Sequence, residues 1–461
     1  ENWQINVSTW GFKTKNEYLI LAKAKDVANR EQISPSERRF TYDTEEPQSV
    51  VTSPADSSIA TAPPDIKGTS SDNGPGVVSK VEVAIMRVVD SVYWDNTIPD
   101  WDELNPGLEH WTEVFASSPA YAYWVYTGTT PAWTANYKYT IWSRATDNAV
   151  PSPNQEVATS SNTFHYDPNR PTSMVNVPSV TYYKSLTQIS GTADDDGIMG
   201  SGVVEVKIRI RDLTLGATYW KGGFNKWQPG DDSQAWRIVN GTTSWTYGFD
   251  DSDWTNNHTY WINTQAKDKA GNYELNYATT VFTFDNEGPD STISTPTAGG
   301  YYSLVKPLNS IKGEASDNAS GVKFVEVRIK RQTSPPYWNG SIWVDVSTFT
   351  LTTGTTSWIY TSIPEWSDGE IYTINSRATD NVDITEVSIS TVTFTYDTAK
   401  PTSTVTVPVN GGKYGSMNQL SGTAEDATSS VDFVEITIQE PGSWYWNGST
   451  WTASVQWLLA D

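Results

Sequence analysis

The chain contains no cysteine, which excludes disulfide-braced domains, thiol catalysis and thiolate metal sites. It has three histidines, His110, His165 and His258. They occupy unrelated places in the sequence pattern described below and match no triad or zinc-ligand spacing. No apolar run approaches the ~18 residues of a membrane-spanning helix, so no membrane insertion is expected in this segment. Basic residues are scarce: 31 Lys and Arg stand against 54 Asp and Glu, a formal net charge of -23. Without a basic stripe to neutralise phosphates, no nucleic-acid partner is expected. The same acidity keeps a long chain soluble and suits binding of hard cations. Hydrophobic residues make up 37 %, but aromatics reach 13 %, with 22 Trp and 24 Tyr. A core must therefore be built from a few large side chains.

What the chain has in abundance is repetition. An aromatic-Thr/His-aromatic-Asp phrase followed by Pro four residues on occurs at Phe40–Pro47, Phe164–Pro171, Phe282–Pro289 and Phe394–Pro401. Its aspartates, Asp43, Asp167, Asp285 and Asp397, are 124, 118 and 112 residues apart. That period suits a whole small domain rather than a solenoid turn. The expected modules are 44–167, 168–285 and 286–397, with 1–43 the back half of one module and 398–461 the front half of another.

Period-2 alternation marks one strand in every repeat: Val81–Ile85, Val204–Ile208, Val325–Ile329 and Val434–Ile438. This is the pattern of a half-buried antiparallel strand. Helical periodicity is hard to find, and Gly, Pro, Asn, Asp and Ser punctuate the chain every 8 to 12 residues. Each alternating strand follows a Gly-x-Ala/Ser strand end and an acidic loop, and leads into an aromatic hairpin. Asn339-Gly340 and Asn447-Gly448 in those hairpins predict two-residue type I′ turns. Later come Trp-x-Tyr/Phe at Trp10, Trp124, Trp245 and Trp358, and then Tyr18, Tyr139, Tyr260 and Tyr372. Each of these Tyr residues lies eight before Asp26, Asp147, Asp268 or Asp380. About seven short strands per period predict an all-β chain of Greek-key sandwiches, with each Tyr placed as a tyrosine corner.

The Asp268–Asn272 loop (Asp-Lys-Ala-Gly-Asn) and the Tyr-Asp-Thr-x-x-Pro linkers carry a resemblance to tandem bacterial immunoglobulin-like domains of large cell-surface proteins and adhesins. The resemblance covers essentially the whole chain. It implies an extended array of immunoglobulin-like modules, located extracellularly on a bacterial surface. The loops Asp147–Ser152 and Asp380–Glu386 depart from it by lacking the Ala-Gly-Asn. The two half-modules fit a window cut from a longer array. The alternative is that half-modules of successive copies complement one another head to tail, since each alone exposes strand edges.

In such a sandwich the loops after the second and sixth strands lie at the end where the chain enters, and the preceding linker Asp arrives there too. Asp43 should thus approach Asp72, Asn73 and Asp147. Asp167 should approach Asp194, Asp195, Asp196 and Asp268. Asp285 should approach Asp317, Asn318, Asp380 and Asp383, and Asp397 should meet Glu425 and Asp426. Converging carboxylates repel unless a cation neutralises them, and oxygen-rich sets of this kind suit Ca²⁺. The arrangement resembles the inter-domain calcium sites of cadherins and calcium-stiffened adhesins. The bland alternative is that the aspartates only cap turns through Asx hydrogen bonds.

Two further readings complete the sequence picture. Trp94, Trp220, Trp338 and Trp446 could form exposed platforms for glycans or for neighbouring fibres; otherwise they fold over the sandwich as core. No repeat carries a unique polar cluster, so an enzyme is not expected. The main expectation is a structural surface repeat protein stiffened by calcium. Its rival is a glycan-binding array of a secreted or surface carbohydrate-active protein.

Overall fold

The computed structural model describes residues 2–223 and 226–461; the expected first half-module begins at Glu1, outside that range. Among the described residues regular structure is β, with short 3-10 turns such as Pro119–Tyr121 and Asp251–Asp253 and no α-helix. Residues 1–179, 187–249 and 261–281 form one compact unit; residues 180–186, 250–260 and 282–461 form a second. The middle repeat contributes residues to both.

The first unit opens with an antiparallel hairpin, Glu17–Ala22 against Ser36–Thr41, in which Tyr18 faces Phe40. Two sheets follow. One runs in the order Phe115–Ala116, Tyr123–Val125, Lys67–Ser71, Gln48–Ser53. The other runs Ile59–Ala60, Ser160–Tyr166, Tyr137–Asp147, Val78–Arg87, Val92–Asp95, Asp100–Trp101. These orders match the two sheets of an immunoglobulin-like sandwich. The alternating strand does what its pattern dictates: Val81, Val83 and Ile85 are buried and pair with Ala145, Ser143 and Ile141 of the neighbouring strand. They meet Val51, Ile66 and Trp124 of the facing sheet in one core. The same unit holds the sheet Thr172–Val177, Gln188–Asp194, Ser244–Gly248, Asn240–Gly241.

In the second unit, Asp290–Thr295, Ile311–Ser316 and Ser357–Tyr360 form one sheet. Gly300–Tyr302, Ser390–Tyr396, Ile371–Asp380, Val322–Arg331, Tyr337–Trp338 and Trp343–Val344 form the other. Its core gathers Val325, Val327, Ile329, Trp358, Tyr372 and Phe394. Residues 402–460 add smaller sheets, including Thr402–Val407 paired with Ser421–Glu425.

The expected tyrosine corners are present. The hydroxyls of Tyr18, Tyr139, Tyr260 and Tyr372 accept the backbone N–H of Lys13, Thr134, Thr255 and Ser367, at 2.8, 2.7, 2.8 and 2.8 Å. The strands Ile59–Ala60, Tyr182–Tyr183 and Gly300–Tyr302 pair in parallel with the last strand of their repeats. One detail differs from the sequence reading. The Asn-Gly hairpins are not two-residue type I′ turns. Trp338 pairs with Trp343 across a four-residue loop. There the Asn339 side-chain oxygen accepts the N–H of Ser341 and Ile342 at 3.0 and 2.9 Å. Only Gly340 has positive φ, +97°. The Asn side chain competes for the turn's N–H groups and so holds a longer Asx-type loop.

A buried glutamate ties the two sheets of a repeat together. Glu386 Oε1 accepts Ser291 N–H at 3.0 Å and Oε2 accepts Ala378 N–H at 2.9 Å. Ser291 and Ser376 hydroxyls meet at 2.8 Å. Glu156 with Ser49 and Ser143, and Glu274 with Ser173 and Thr264, repeat the arrangement. Because the donors are buried, Glu386→Ala leaves at least two N–H groups without acceptors, a loss of about 3 kcal/mol. Urea unfolding followed by Trp fluorescence checks this; Glu386→Gln, which keeps one acceptor oxygen, should lose less.

Candidate metal centres

Three carboxylate clusters form, each from one residue of each element the sequence singled out: Asp43, Asp72 and Asp147; Asp167, Asp195 and Asp268; Asp285, Asp317 and Asp380. Within a cluster, one oxygen from each residue lies within 4.8 Å of the others. At that separation two unit charges repel by roughly 3–4 kcal/mol in a partly solvated medium. The second cluster is buried throughout, at 0, 2 and 0 % exposure, and Asp147, Asp285 and Asp380 are equally enclosed.

Backbone geometry holds each carboxylate in place. Asp268 Oδ1 accepts the N–H of Gly271 and Asn272 at 2.7 and 2.8 Å, while Oδ2 accepts the Asn272 amide at 2.9 Å. That amide also reaches the Asp167 carbonyl at 3.0 Å, so one loop side chain binds both the linker and the Asp268 strand end. Asp167 Oδ2 accepts Ser201 N–H at 2.8 Å, and Asp195 Oδ2 accepts Gly202 N–H at 2.7 Å. In the first cluster Asp43 Oδ2 accepts Gly76 N–H at 3.0 Å and Asp72 Oδ1 accepts Gly74 N–H at 2.7 Å. A Cβ added to Gly74 would lie 2.5 Å from Asp43 Oδ1, so this loop needs glycine to admit the incoming carboxylate. In the third, Asp285 Oδ2 accepts Ser320 N–H, and Asp380 Oδ1 accepts Val382 and Ile384 N–H at 2.9, 3.0 and 2.8 Å.

These bonds use only part of the acceptor capacity. Asp72 Oδ2, Asp195 Oδ1, Asp285 Oδ1, Asp317 Oδ1 and Asp380 Oδ2 are buried with no hydrogen-bond partner. A buried oxygen without a donor is costly, and a carboxylate more so. Burial first, then the neighbouring carboxylates, raises the pKa values of Asp72, Asp195 and Asp380 from the ordinary carboxylate value. Turn capping accounts for the bonded oxygens and leaves the orphaned ones unexplained. The donor set is all oxygen and triply negative, which fits a hard divalent cation such as Ca²⁺.

Several expected residues stand apart. Asp194 Oδ2 accepts Gly197 N–H at 3.0 Å, and Asp196 Oδ2 binds the amides of Asn136 and Asn169 at 2.7 and 2.6 Å. Asn73 is exposed. The Asn318 amide donates to Glu287, and Asp383 pairs with Lys323 at 2.6 Å. Asp397 and Asp426 each accept nearby backbone N–H groups, and among the described residues neither joins a cluster with Glu425.

The tryptophans of the aromatic hairpins differ in burial. Trp94 and Trp220 are 3 and 5 % exposed, and Trp338 and Trp446 are half-buried. Each packs edge-on against a second Trp, Trp101, Trp227, Trp343 or Trp451, with ring centroids 5.4–5.5 Å apart. Trp94 and Trp220 are core, and Trp338 packs against the core of its repeat. His110, which sequence spacing set aside, lies 2.9 Å from Asp102 and 3.5 Å from Asp95, bracing the long insertion of its repeat.

No family model matches the chain, and no curated protein matches it. Among solved structures it is similar to a tetra-tandem repeat in the extending region of a large adhesion protein, at 14 % identity and TM-score 0.30, covering 85 % of this chain and 84 % of that one. It is also similar to a 1.5-MDa bacterial ice-binding adhesin (14 %, TM-score 0.33, 77 and 97 % covered). A third is a Ca²⁺-stabilized adhesin of an Antarctic bacterium that binds ice (13 %, TM-score 0.29, 83 and 82 % covered). At such low identities and TM-scores these likenesses carry no conclusion about what the chain binds or does.

Proposed function

We propose that the chain is a non-enzymatic structural repeat protein of a bacterial cell surface, the shaft of a filament, stalk or adhesin. In this reading residues 44–167, 168–285 and 286–397 are its sandwich modules, and Ca²⁺ at the three carboxylate clusters stiffens their junctions. The observation that carries it is that every cluster holds at least one buried carboxylate oxygen without a hydrogen-bond partner, among carboxylates whose oxygens approach within 4.8 Å. Asp43, Asp167 and Asp285 come from the linker ahead of a repeat; their cluster partners come from two loops within it. A cation held by all three removes the repulsion and ties the linker to the sandwich it enters, so hinge motion there costs the ion's coordination. Asp72, Asp147, Asp195, Asp268, Asp317 and Asp380 would supply the remaining carboxylate ligands.

Calorimetric titration of the chelator-treated chain with Ca²⁺ tests this. Three sites per chain are expected; heats no larger than dilution would sink the reading. Acidity supplies a second check. The folded-state pKa values of Asp72, Asp195 and Asp380 are raised, so the folded chain binds protons more tightly than the unfolded one. Without metal, these groups destabilise the fold as pH rises from the ordinary carboxylate pKa through their raised folded-state values, and acidification relieves that. With Ca²⁺ the sign reverses, because the ion needs deprotonated ligands. The Ca²⁺-induced rise in unfolding midpoint should therefore shrink as pH falls from neutral toward the raised pKa values of these groups, and Asp195→Asn should flatten both profiles at its cluster.

A further inference from the structure

The repeats diverge at one position on the outer face of the larger sheet. In repeat 286–397, Arg328 lies opposite Asn375. It donates from Nε and Nη2 to Asn375 Oδ1 at 3.0 and 2.7 Å, and its guanidinium covers the Phe349 ring at 4.8 Å. In repeat 168–285, Arg209 donates to Asn263 Oδ1 at 2.9 Å and lies 4.7 Å over Trp236. In both, a long cationic side chain fills the space between strand and covering loop.

Repeat 44–167 keeps the neighbouring Arg-Glu pair: Arg144 binds Glu82 at 2.9 Å as Arg377 binds Glu326 at 2.8 Å. At the diverging position, however, the ladder sets Ala84 opposite Trp142. The filling arginine is gone, and a cavity of about 260 Å³ opens over Ala84. Its walls include Tyr93, Trp111 and Trp142, with Glu109, Arg144 and Gln155 at the edge. Tyr93 and Trp142 lie 5.8 Å apart, inclined at 33°. The Trp111 indole N–H donates to Glu109 at 2.9 Å, and Arg144 covers the Trp111 ring at 4.0 Å. The polar edge is thus held in position before any ligand arrives.

We propose that this cleft binds a neutral pyranose unit of a glycan. The C–H face of the ring would pack on Trp142 and Tyr93, and its hydroxyls would bond Glu109, Arg144 and Gln155. The chemistry narrows the class. A cavity of this size takes a small ring rather than a drug-sized ligand, and an aromatic wall with a few fixed polar groups is how such sites orient a ligand. With Glu109 and Arg144 both lining it, the cleft offers acceptors and donors of opposite charge, which suits a neutral ligand whose hydroxyls bond to both. The site does not depend on the carboxylate clusters, and it does not use the hairpin tryptophans.

The test is calorimetric titration of the whole chain with cellohexaose, maltohexaose, mannohexaose and chitohexaose, with calcium present and with chelator. One saturable site for at least one of them is expected, unchanged by chelator. The double variant Ala84→Arg/Trp142→Asn rebuilds the Arg-Asn pair of repeat 286–397 and should weaken binding at least about tenfold. Gln155→Ala, at an exposed position, should weaken it severalfold with the unfolding midpoint unchanged, which keeps the test sound if the double variant folds poorly. No saturable heat with any of the four sugars overturns the proposal. So does unaltered affinity in both variants, or saturation by tetramethylammonium alone.

Discussion

Adding Ca²⁺ to the chelator-treated chain is expected to raise its thermal unfolding midpoint by about 10 °C or more once the free ion reaches about 100 times its dissociation constant. That concentration corresponds to about 3 kcal/mol for a single site that binds only the folded state. The variant Asp195→Asn carries the sharper form of the prediction, because its effect should change sign. With metal it removes a ligand from the Asp167, Asp195 and Asp268 cluster and lowers the midpoint. Without metal it removes one of three mutually repelling, buried carboxylates while an amide oxygen can still accept Gly202 N–H, so the midpoint should hold or rise. Aspartates that served only as turn caps would give the same loss with or without the ion. A calcium-independent midpoint, read by calorimetry on wild type and variant side by side, would contradict the assignment.

Gly313→Ala should unfold the module it sits in at clearly lower urea, with a loss of about 3 kcal/mol or more. A Cβ there would lie 1.9 Å from the Thr292 carbonyl oxygen and 2.3 Å from Trp358 Cζ2. Gly313 pairs with Ile293 on one side and Trp358 on the other, so the carbonyl cannot retreat without opening the ladder. Trp358, 2 % exposed, is the other half of the contact, and Trp358→Ala should lose about 3–5 kcal/mol through the cavity it leaves. The double variant should lose less than the sum, because removing the indole makes room for the methyl. Gly248→Ala is the control: nothing lies within 4 Å of the added carbon, and the change should stay within about 0.5 kcal/mol. Equal losses at Gly313 and Gly248 would show that backbone entropy, rather than the Trp contact, sets the requirement.

The same pairing recurs at Gly68 with Trp124 and at Gly191 with Trp245, where an added Cβ would again lie within 2.3 Å of an indole carbon. Both residues of every pair stand out in the sequence by their period, since a repeat of about 115 residues exposes whatever each module needs. Their contact does not stand out. It links residues more than forty positions apart, and only the folded ladder brings them together. The tyrosine corner was legible for the opposite reason: its partner is five residues upstream, a local bond fixed by strand and turn.

The candidate sites divide along the same line. The convergence of linker Asp, acidic loop and strand-end Asp followed from sandwich connectivity and the repeat phrase. Which aspartate of the Asp194-Asp195-Asp196 run turns inward did not. Asp194 is the last residue of a strand, facing outward, and Asp196 adopts φ +51° in the following turn; Asp195 is left aimed at Asp167 and Asp268. Alternation predicts facing within a strand and says nothing once the strand ends. The hairpin tryptophans show the same limit, because a Tyr-Trp pair reads alike whether its ring faces solvent or a second indole. By itself the sequence determined the alternating strands, the repeat period, the corner tyrosines and the three acidic elements, all of which rest on local periodicity or on repetition. Tertiary structure alone decided which carboxylate oxygens are left without donors, which aromatic rings are core, and where the loss of one arginine opens a cleft. Those outcomes depend on the volume and hydrogen-bonding capacity that distant strands leave to one another when they pack.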